Sequence, residues 1–130
     1  MIMFCIHTPP VPQKQTQWGN GRAYDPSKKD QDAIRWQMRP YAPKEPITGP
    51  ISLYLTFHVA IPKSVSKLMR RQMIEGKILP IKRPDFDNLS YIVVNAMKDL
   101  IYRDDSQVVD ATIQKRYSEE PKTIVKIVEL

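Results

Sequence analysis

The stretch Arg83–Leu100 reads "RPDFDNLSYIVVNAMKDL" and joins an acidic start to an apolar repeat. Its apolar side chains recur at the spacing i, i+3, i+4, i+7, i+8 and i+11, which is typical of a helix with one buried face. They are Leu89, Ile92, Val93, Ala96, Met97 and Leu100. We therefore predict an amphipathic helix from about Asn88 to Leu100.

Two aspartates, Asp85 and Asp87, stand directly after Pro84 at the start of this stretch. Proline disfavours the helical conformation for the residue before it, so we expect the chain to reach Asp85 extended. In extended chain, side chains two residues apart point the same way. Two carboxylates about 4 Å apart repel by roughly 4 kcal/mol at an effective dielectric of 20. A hard divalent cation would turn that repulsion into attraction, and Mg²⁺ suits so sparse a site.

The same two residues are also typical of a helix start. An aspartate at the N-cap accepts a hydrogen bond from the helix backbone and needs no metal. On that interpretation Asp87 caps a helix that begins at Asn88, and this role is compatible with metal binding. A calcium loop is disfavoured, because Leu89 and Ser90 stand where such a loop has a ligand and a glycine.

A second acidic segment, "YRDDSQVVD" at 102–110, follows the predicted helix and precedes a predicted strand. Six of the nine aspartates of the chain lie between residues 85 and 110. Asp105 would meet Asp85 and Asp87 only if the sheet brings the two segments together. The alternative is a plain surface turn, since "RDDS" has turn-forming residues.

The rest of the chain predicts a sheet and two further helices. The clearest strand is "ISLYLTFHVAIP" from Ile51, whose apolar side chains alternate with others. Further strands are predicted over "MFCIH", "QVVDATIQKRY" and "KTIVKIVEL", and a hairpin tip over "WGNGRAY". One helix is expected from its N-cap Ser27 to Met38, and another over "SVSKLMRRQMIEGK", closed by Gly76. This order predicts an α+β fold of one domain, 1–130, with a mixed β-sheet and helices packed on one face.

Composition narrows the class of partner. The chain has 130 residues, 42% of them hydrophobic, and a formal net charge of +6. That charge favours a polyanion such as nucleic acid, or an acidic membrane surface. We expect no membrane span, because no run of 18 or more apolar residues occurs, and no signal peptide. The lone Cys5 fits a reducing compartment. A basic chain that gathers its acids in one region is typical of a phosphate-binding protein that holds a metal.

Three segments together resemble the RusA-type Holliday-junction resolvases: "KRPDFDNL", "SYIVVNAMKDLIY" and "RDDSQVVD". The first strand and loop, "IHTPPVPQK" and "GRAYDP", and the last hairpin, "ATIQKRYSEEPKTIVKIVEL", are similar to that family too. The resemblance covers nearly the whole chain and is strongest over residues 82–117. It implies a cytoplasmic, bacterial or prophage-encoded homodimer that cuts four-way DNA junctions with Mg²⁺.

The resemblance also implies the residues of the site. Carried over by motif position, Asp85, Asp87 and Asp105 are the metal ligands required for cleavage, and Asp104 is a supporting carboxylate. The basic residues expected to bind DNA are Lys14, Lys82, Arg83 and Arg103.

One position departs from the family pattern. The family usually carries a catalytic lysine four residues after the second motif aspartate, where this chain has Tyr91. On a helix Tyr91 would lie one turn from Asp87, on the same face, and it offers a neutral hydrogen-bond donor in place of a charge. Either Lys82, Arg83 or Arg103 replaces the lysine, or the protein cuts slowly, or it binds junctions without cutting.

Two alternatives to a nuclease follow from that departure and from the sparsely basic N-terminal loop. The first is a non-catalytic or weakly active protein that binds DNA junctions. The second is a basic α+β interaction domain in which the aspartates only cap helices and form turns.

Overall fold

The computed structural model describes residues 1–14 and 17–130. In that part of the chain the helices are α1 (Lys28–Met38), α2 (Lys67–Ile74) and α3 (Phe86–Met97). The strands are β1 (Ile2–Ile6), β2 (Gln17–Gly19), β3 (Arg22–Tyr24), β4 (Ile51–Ala60), β5 (Val108–Ser118) and β6 (Lys122–Glu129). Short 3₁₀ helices cover Arg39–Tyr41 and Asp105–Gln107. Among the described residues, no helix has the length and apolarity that crossing a membrane requires.

Four strands form one mixed sheet in the order β1-β6-β4-β5. β4 pairs with β5 in parallel, whereas β6 pairs with β4 and with β1 in antiparallel. Parallel neighbours need a crossover connection. The chain therefore leaves the carboxyl end of β4, passes through α2 and α3, and returns to the amino end of β5. This crossover decides where each acidic segment lies.

The predicted hairpin tip is confirmed by the pairing of β2 with β3. Asn20 and Gly21 form its two-residue turn with φ of 51° and 72°. Positive φ at both central residues is what a tight hairpin turn of this hand requires, and asparagine and glycine accept it most readily.

The core lies between the sheet and the helices α1 and α3. α3 contributes five side chains that are at most 2% exposed, and β4 contributes a row on one face of the sheet. Burying each such side chain contributes roughly 1.5–3 kcal/mol. α2 lies against the edge strand β5. The predicted α+β fold, a mixed sheet with helices packed on one face, is confirmed.

Helix α1 has the predicted bounds but not the predicted cap. Ser27 occupies the N-cap position, yet its side chain makes no capping hydrogen bond. Its hydroxyl instead accepts a hydrogen bond from the backbone N–H of Lys14 at 2.6 Å. The hydroxyl thus holds the N-terminal loop, and the sequence around Ser27 does not predict this contact.

The turn after α3 is fixed by the buried Tyr102. Its hydroxyl donates to the carbonyl of Val94 at 2.7 Å, and burial raises the pKa of Tyr102, so the donor keeps its proton. The N–H of Ile47 donates to the carbonyl of Ile101 at 2.9 Å, and the N–H of Arg103 donates to the carbonyl of Ile47 at 3.1 Å. The segment that carries the second acidic group is therefore tied to the chain just before β4.

Ile92→Ala should lower the free energy of unfolding by about 2–5 kcal/mol, because it removes a fully buried side chain and leaves a cavity. The matched control is Tyr91→Ala, the neighbouring residue with 55% exposure, which should change that free energy by no more than about 0.5 kcal/mol. Urea unfolding followed by circular dichroism measures both. Equal effects of the two substitutions would contradict the packing of α3 on the sheet.

Candidate functional site

The first acidic group lies at the N-terminus of α3. Asp85 occupies the N-cap position with extended backbone, φ −75° and ψ 151°, but its side chain makes no capping hydrogen bond. Asp87 lies in the first turn, where its Oδ1 accepts a hydrogen bond from the N–H of Asn88 at 3.0 Å. The N–H of Leu89 already donates to the carbonyl of Asp85 at 3.1 Å, as in a helix.

Two predictions about this group are therefore wrong. Asp87 does not cap a helix that begins at Asn88, because α3 begins at Phe86, two residues earlier. Asp85 and Asp87 are not an extended pair on one side of the chain either. The extended conformation that Pro84 favours ends at Asp85, and the next residue is already helical.

The helix itself compensates part of the repulsion between these aspartates. Both side chains are exposed, and both lie beside the partial positive charge that a helix carries at its N-terminus. No ion pair joins either of them to a cation within residues 1–14 and 17–130. The two carboxylates are thus free of protein counter-ions and face solvent, where a ligand can reach them.

Three of the four residues predicted to bind DNA lie at this end of the molecule. Lys82 and Arg83 directly precede the acidic group and are exposed. The Nζ of Lys115 in β5 donates to the carbonyl of Lys82 at 2.9 Å, which ties this segment to the carboxyl-terminal half of β5. Lys14 is 56% exposed, and its Nζ lies 3.9 Å from Oδ2 of Asp30.

An open cleft of about 630 Å³ lies between the N-terminal loop and the start of α3. Arg83 and Asp85 line it together with Gln13 and Asn88. The backbone N–H of Gln13 donates to the carbonyl of Asn88 at 3.0 Å, so the loop is docked on α3. A cation and a carboxylate therefore share one solvent-filled cleft, an arrangement that can hold a phosphate next to a metal ion.

The second acidic group is held by side-chain hydrogen bonds. Asp104 is the N-cap of a 3₁₀ helix and accepts a hydrogen bond from the N–H of Ser106 at 3.1 Å. The side-chain oxygen of Gln107 accepts from the N–H of Asp104 at 2.8 Å, and its NH₂ donates to the carbonyls of Ile47 and Gly49. Hydrogen bonds from Ser106 lower the pKa of Asp104. This segment is a capped turn, and the structure gives Asp104 a capping role there.

Asp105 lies at the other end of α3. Its Oδ1 is 3.3 Å from the Nζ of Lys98, the residue that follows α3. Arg103, the fourth residue predicted to bind DNA, is also at this end, with Nη1 3.8 Å from Oδ1 of Asp99. Both pairs are partly exposed, so each contributes about 0–1 kcal/mol. α3 has 12 residues and is about 18 Å long at 1.5 Å per residue, so it separates Asp105 from Asp85.

One chain therefore does not bring the predicted metal ligands together. Among the residues that the structure describes, no three Asp, Glu, His or Cys side chains form a group that could hold a metal ion. The crossover explains why: α3 starts near the carboxyl ends of β4 and β5, whereas Asp105 precedes the amino end of β5. Each carboxylate group has the hard oxygen ligands that Mg²⁺ prefers, but the three-carboxylate set is not formed within one chain.

Tyr91 lies on α3 four residues after Asp87 and is 55% exposed. The prediction that the two residues share one helix face is confirmed, because four residues make about one helical turn. Lys82 and Arg83 are the cations at this end of α3. Arg103 lies at the opposite end, so it is not placed to replace a charge at position 91 in the same chain.

Sequence reasoning missed Gln107 and Lys115. A glutamine three residues after Asp104 has the spacing of a capping box, so that signal was present in the sequence. Lys115 contacts Lys82 across 33 residues of chain, and no local pattern predicts such a contact.

Comparison with known proteins gives two matches. The family model described as "Endodeoxyribonuclease RusA" matches residues 7–128 of the chain. A protein of Bacillus subtilis (strain 168) described as "Uncharacterized protein YqaN" is 36% identical over 137 aligned residues, covering 99% of this chain and 96% of that protein. Both acidic groups and the whole of α3 lie within the matched range.

Proposed function

Because the chain belongs to the RusA family of endodeoxyribonucleases, we propose that it resolves four-way DNA junctions by Mg²⁺-dependent cleavage of two opposing strands. The single observation that carries the proposal is the open cleft at the start of α3, which Arg83 and Asp85 line together. Recombination and repair are the processes in which such an activity would serve.

The residues of the cleft have distinct roles in this proposal. Arg83 and Lys82 hold the scissile phosphate, since the guanidinium fork matches phosphate oxygens in pairs and the ammonium acts as a point charge. Asp85, which lines the cleft, and Asp87, in the first turn of α3, supply oxygen ligands. A bound Mg²⁺ would act as a Lewis acid and would make water a better nucleophile at neutral pH. Water adds to phosphorus and the 3′ oxygen leaves with a proton, giving a 3′ hydroxyl and a 5′ phosphate.

A homodimer would supply the third carboxylate. In one chain α3 separates Asp105 from Asp85 and Asp87, but a two-fold interface sets the same surface of two chains against each other. With the two-fold axis beside the middle of α3, the Asp105 end of one chain would approach the Asp85 end of the other, twice. We assign the third ligand to Asp105 of the partner subunit. The two composite sites are related by the two-fold axis, as are the opposing strands of a four-way junction.

A junction-binding protein without cleavage is the second candidate. Two observations favour it: Tyr91 is neutral where the family usually has a lysine, and one chain alone does not form the three-carboxylate set. On this alternative the basic residues at the start of α3 bind phosphate, and the aspartates only stabilise the ends of helices.

Asp85→Asn should reduce nicking of a labelled four-way junction in Mg²⁺ on the order of 10²–10³-fold, because it removes a carboxylate that would hold the Mg²⁺ that stabilises the developing charge of the phosphate. Gel electrophoresis of the cut strands measures it. Asp32→Asn, an exposed aspartate on α1, makes the same change of charge away from the cleft and should keep full activity. A wild-type protein that shifts the junction in a native gel but never nicks it would support the binding protein instead.

Tyr91→Phe should lower the cleavage rate about 2- to 10-fold, because it removes one neutral hydrogen-bond donor one turn from Asp87. Tyr91→Lys should raise the rate, because it places a positive charge beside the developing negative charge of the phosphate. Single-turnover cleavage of the junction measures both. Rates equal to wild type in both variants would remove Tyr91 from the mechanism.

A further inference from the structure

Positive charge is most concentrated in residues 63–83, the segment between β4 and Asp85, which we call the basic arm. It holds seven basic residues and one acidic residue, so its formal charge is +6, the same as that of the whole chain. The basic residues are Lys63, Lys67, Arg70, Arg71, Lys77, Lys82 and Arg83. Since the chain has 20 basic and 14 acidic residues, the remaining 109 residues hold 13 of each and are neutral in sum.

The basic arm has almost no carboxylate partners of its own. Within the described part of the chain, the one ion pair in the arm joins Nζ of Lys77 to Oε2 of Glu75 at 3.1 Å. On α2, Lys67 and Arg71 are both exposed and stand one helical turn apart. Like charges at that spacing destabilise a helix, and an ordinary solvated face mixes both signs. A polyanion bound to the arm would relieve this repulsion.

The basic arm is nevertheless an ordered part of the fold. α2 contacts the edge strand β5, and Met73 anchors it with 5% exposure. Ser66 caps α2, because its hydroxyl accepts a hydrogen bond from the N–H of Met69 at 3.2 Å. The arm ends at Arg83, which lines the cleft beside Asp85. Its cations are therefore set on a fixed surface that leads into the candidate cleavage site.

We propose that the basic arm, with Lys67 and Arg71 on α2, binds the phosphate backbone of the junction's duplex branch that enters the cleavage site. The identity of this polyanion rests on the proposed function. Charge complementarity argues against a second copy of the chain as the occupant. The acid that a second copy could offer is concentrated between residues 85 and 110, and the composite sites proposed above already use Asp85, Asp87 and Asp105 of that segment for the metal ion.

The test compares two double substitutions that remove the same charge from exposed helical positions. Lys67→Gln/Arg71→Gln alters the basic arm, and Lys28→Gln/Lys29→Gln alters α1. Fluorescence anisotropy of a labelled four-way junction in EDTA measures binding without cleavage across a salt series. The arm variant should bind about 10-fold or more weakly at moderate salt, and its slope of log K against log salt should fall by about 2. The α1 variant should match the wild type.

Three results would overturn the proposal. Equal weakening by both double variants would show that net charge alone matters, and unchanged binding by the arm variant would show that the arm does not contact DNA. Binding to vesicles that contain phosphatidylserine is measured as a third assay. If the arm variant loses vesicle binding and keeps its affinity for DNA, the arm is a membrane surface and the proposal is wrong.

A failure of the basic arm is distinguishable from a failure of the proposed function. Asp85→Asn should lose cleavage and should bind the junction in EDTA at least as tightly as the wild type, because it removes a negative charge from the cleft. If cleavage depends on Asp85 but the arm variant binds DNA as the wild type does, the proposal for the basic arm is wrong and the nuclease proposal stands. If the protein binds DNA through the basic arm but never cuts it, the nuclease proposal is wrong and the proposal for the basic arm stands.

Discussion

The packing of α3 against the mixed sheet is the constraint on which the rest of the molecule depends. Its apolar stripe is buried along its whole length, so the helix cannot slide or rotate without exposing that surface to water. Because its two ends carry the two acidic groups, the same packing fixes how far apart those groups lie. A change in the core under α3 would therefore reach both groups at once, although neither is in the core.

The two ends of α3 differ in electrostatic character. At the N-terminus, Asp85 and Asp87 lie beside the positive end of the helix dipole, make no ion pair within residues 1–14 and 17–130, and leave their oxygens to solvent. At the C-terminus, Asp105 already has Lys98 as a counter-ion at 3.3 Å, and Asp104 is used as a cap. Among the described residues, a single chain thus presents one acidic group without an ion pair and one that is held by Lys98 and by capping hydrogen bonds. Joining the two groups across a dimer would set Asp105 of the partner subunit against the uncompensated pair, where a divalent cation is needed to offset three negative charges.

The sequence predicts the elements of this fold well because their signals are local. The stripe of α3 and the alternation of β4 each arise from burial of one face, and both are confirmed. The start of α3 was predicted two residues late, because Pro84 restrains only Arg83, the residue before it, and does not determine where the following helix begins. The predicted capping hydrogen bond of α1 is absent for a different reason: the hydroxyl of Ser27 accepts a hydrogen bond from the backbone N–H of the distant Lys14.

Relations between distant segments could not be read from the sequence in the same way. Whether Asp105 meets Asp85 depends on β4 and β5 being parallel neighbours, and that pairing follows from the whole topology. The composition did contain one non-local signal. Counting charges by segment gives residues 63–83 a formal charge of +6, and that count needs no structure. The exposure of the segment and its single ion pair among the described residues are seen only in the structure.

Subunit mixing tests the central claim, a cleavage site shared between two chains, most directly. Asp85→Asn and Asp105→Asn chains with different tags would be co-expressed, and the mixed dimer purified through both tags. Each parent dimer should be inactive on a four-way junction. In the mixed dimer one composite site carries both substitutions and the other carries none, so single-strand nicking should return without the paired cut. A purified mixed dimer as inactive as its parents would contradict the shared site, because a site within one chain leaves every site of that dimer with one defect.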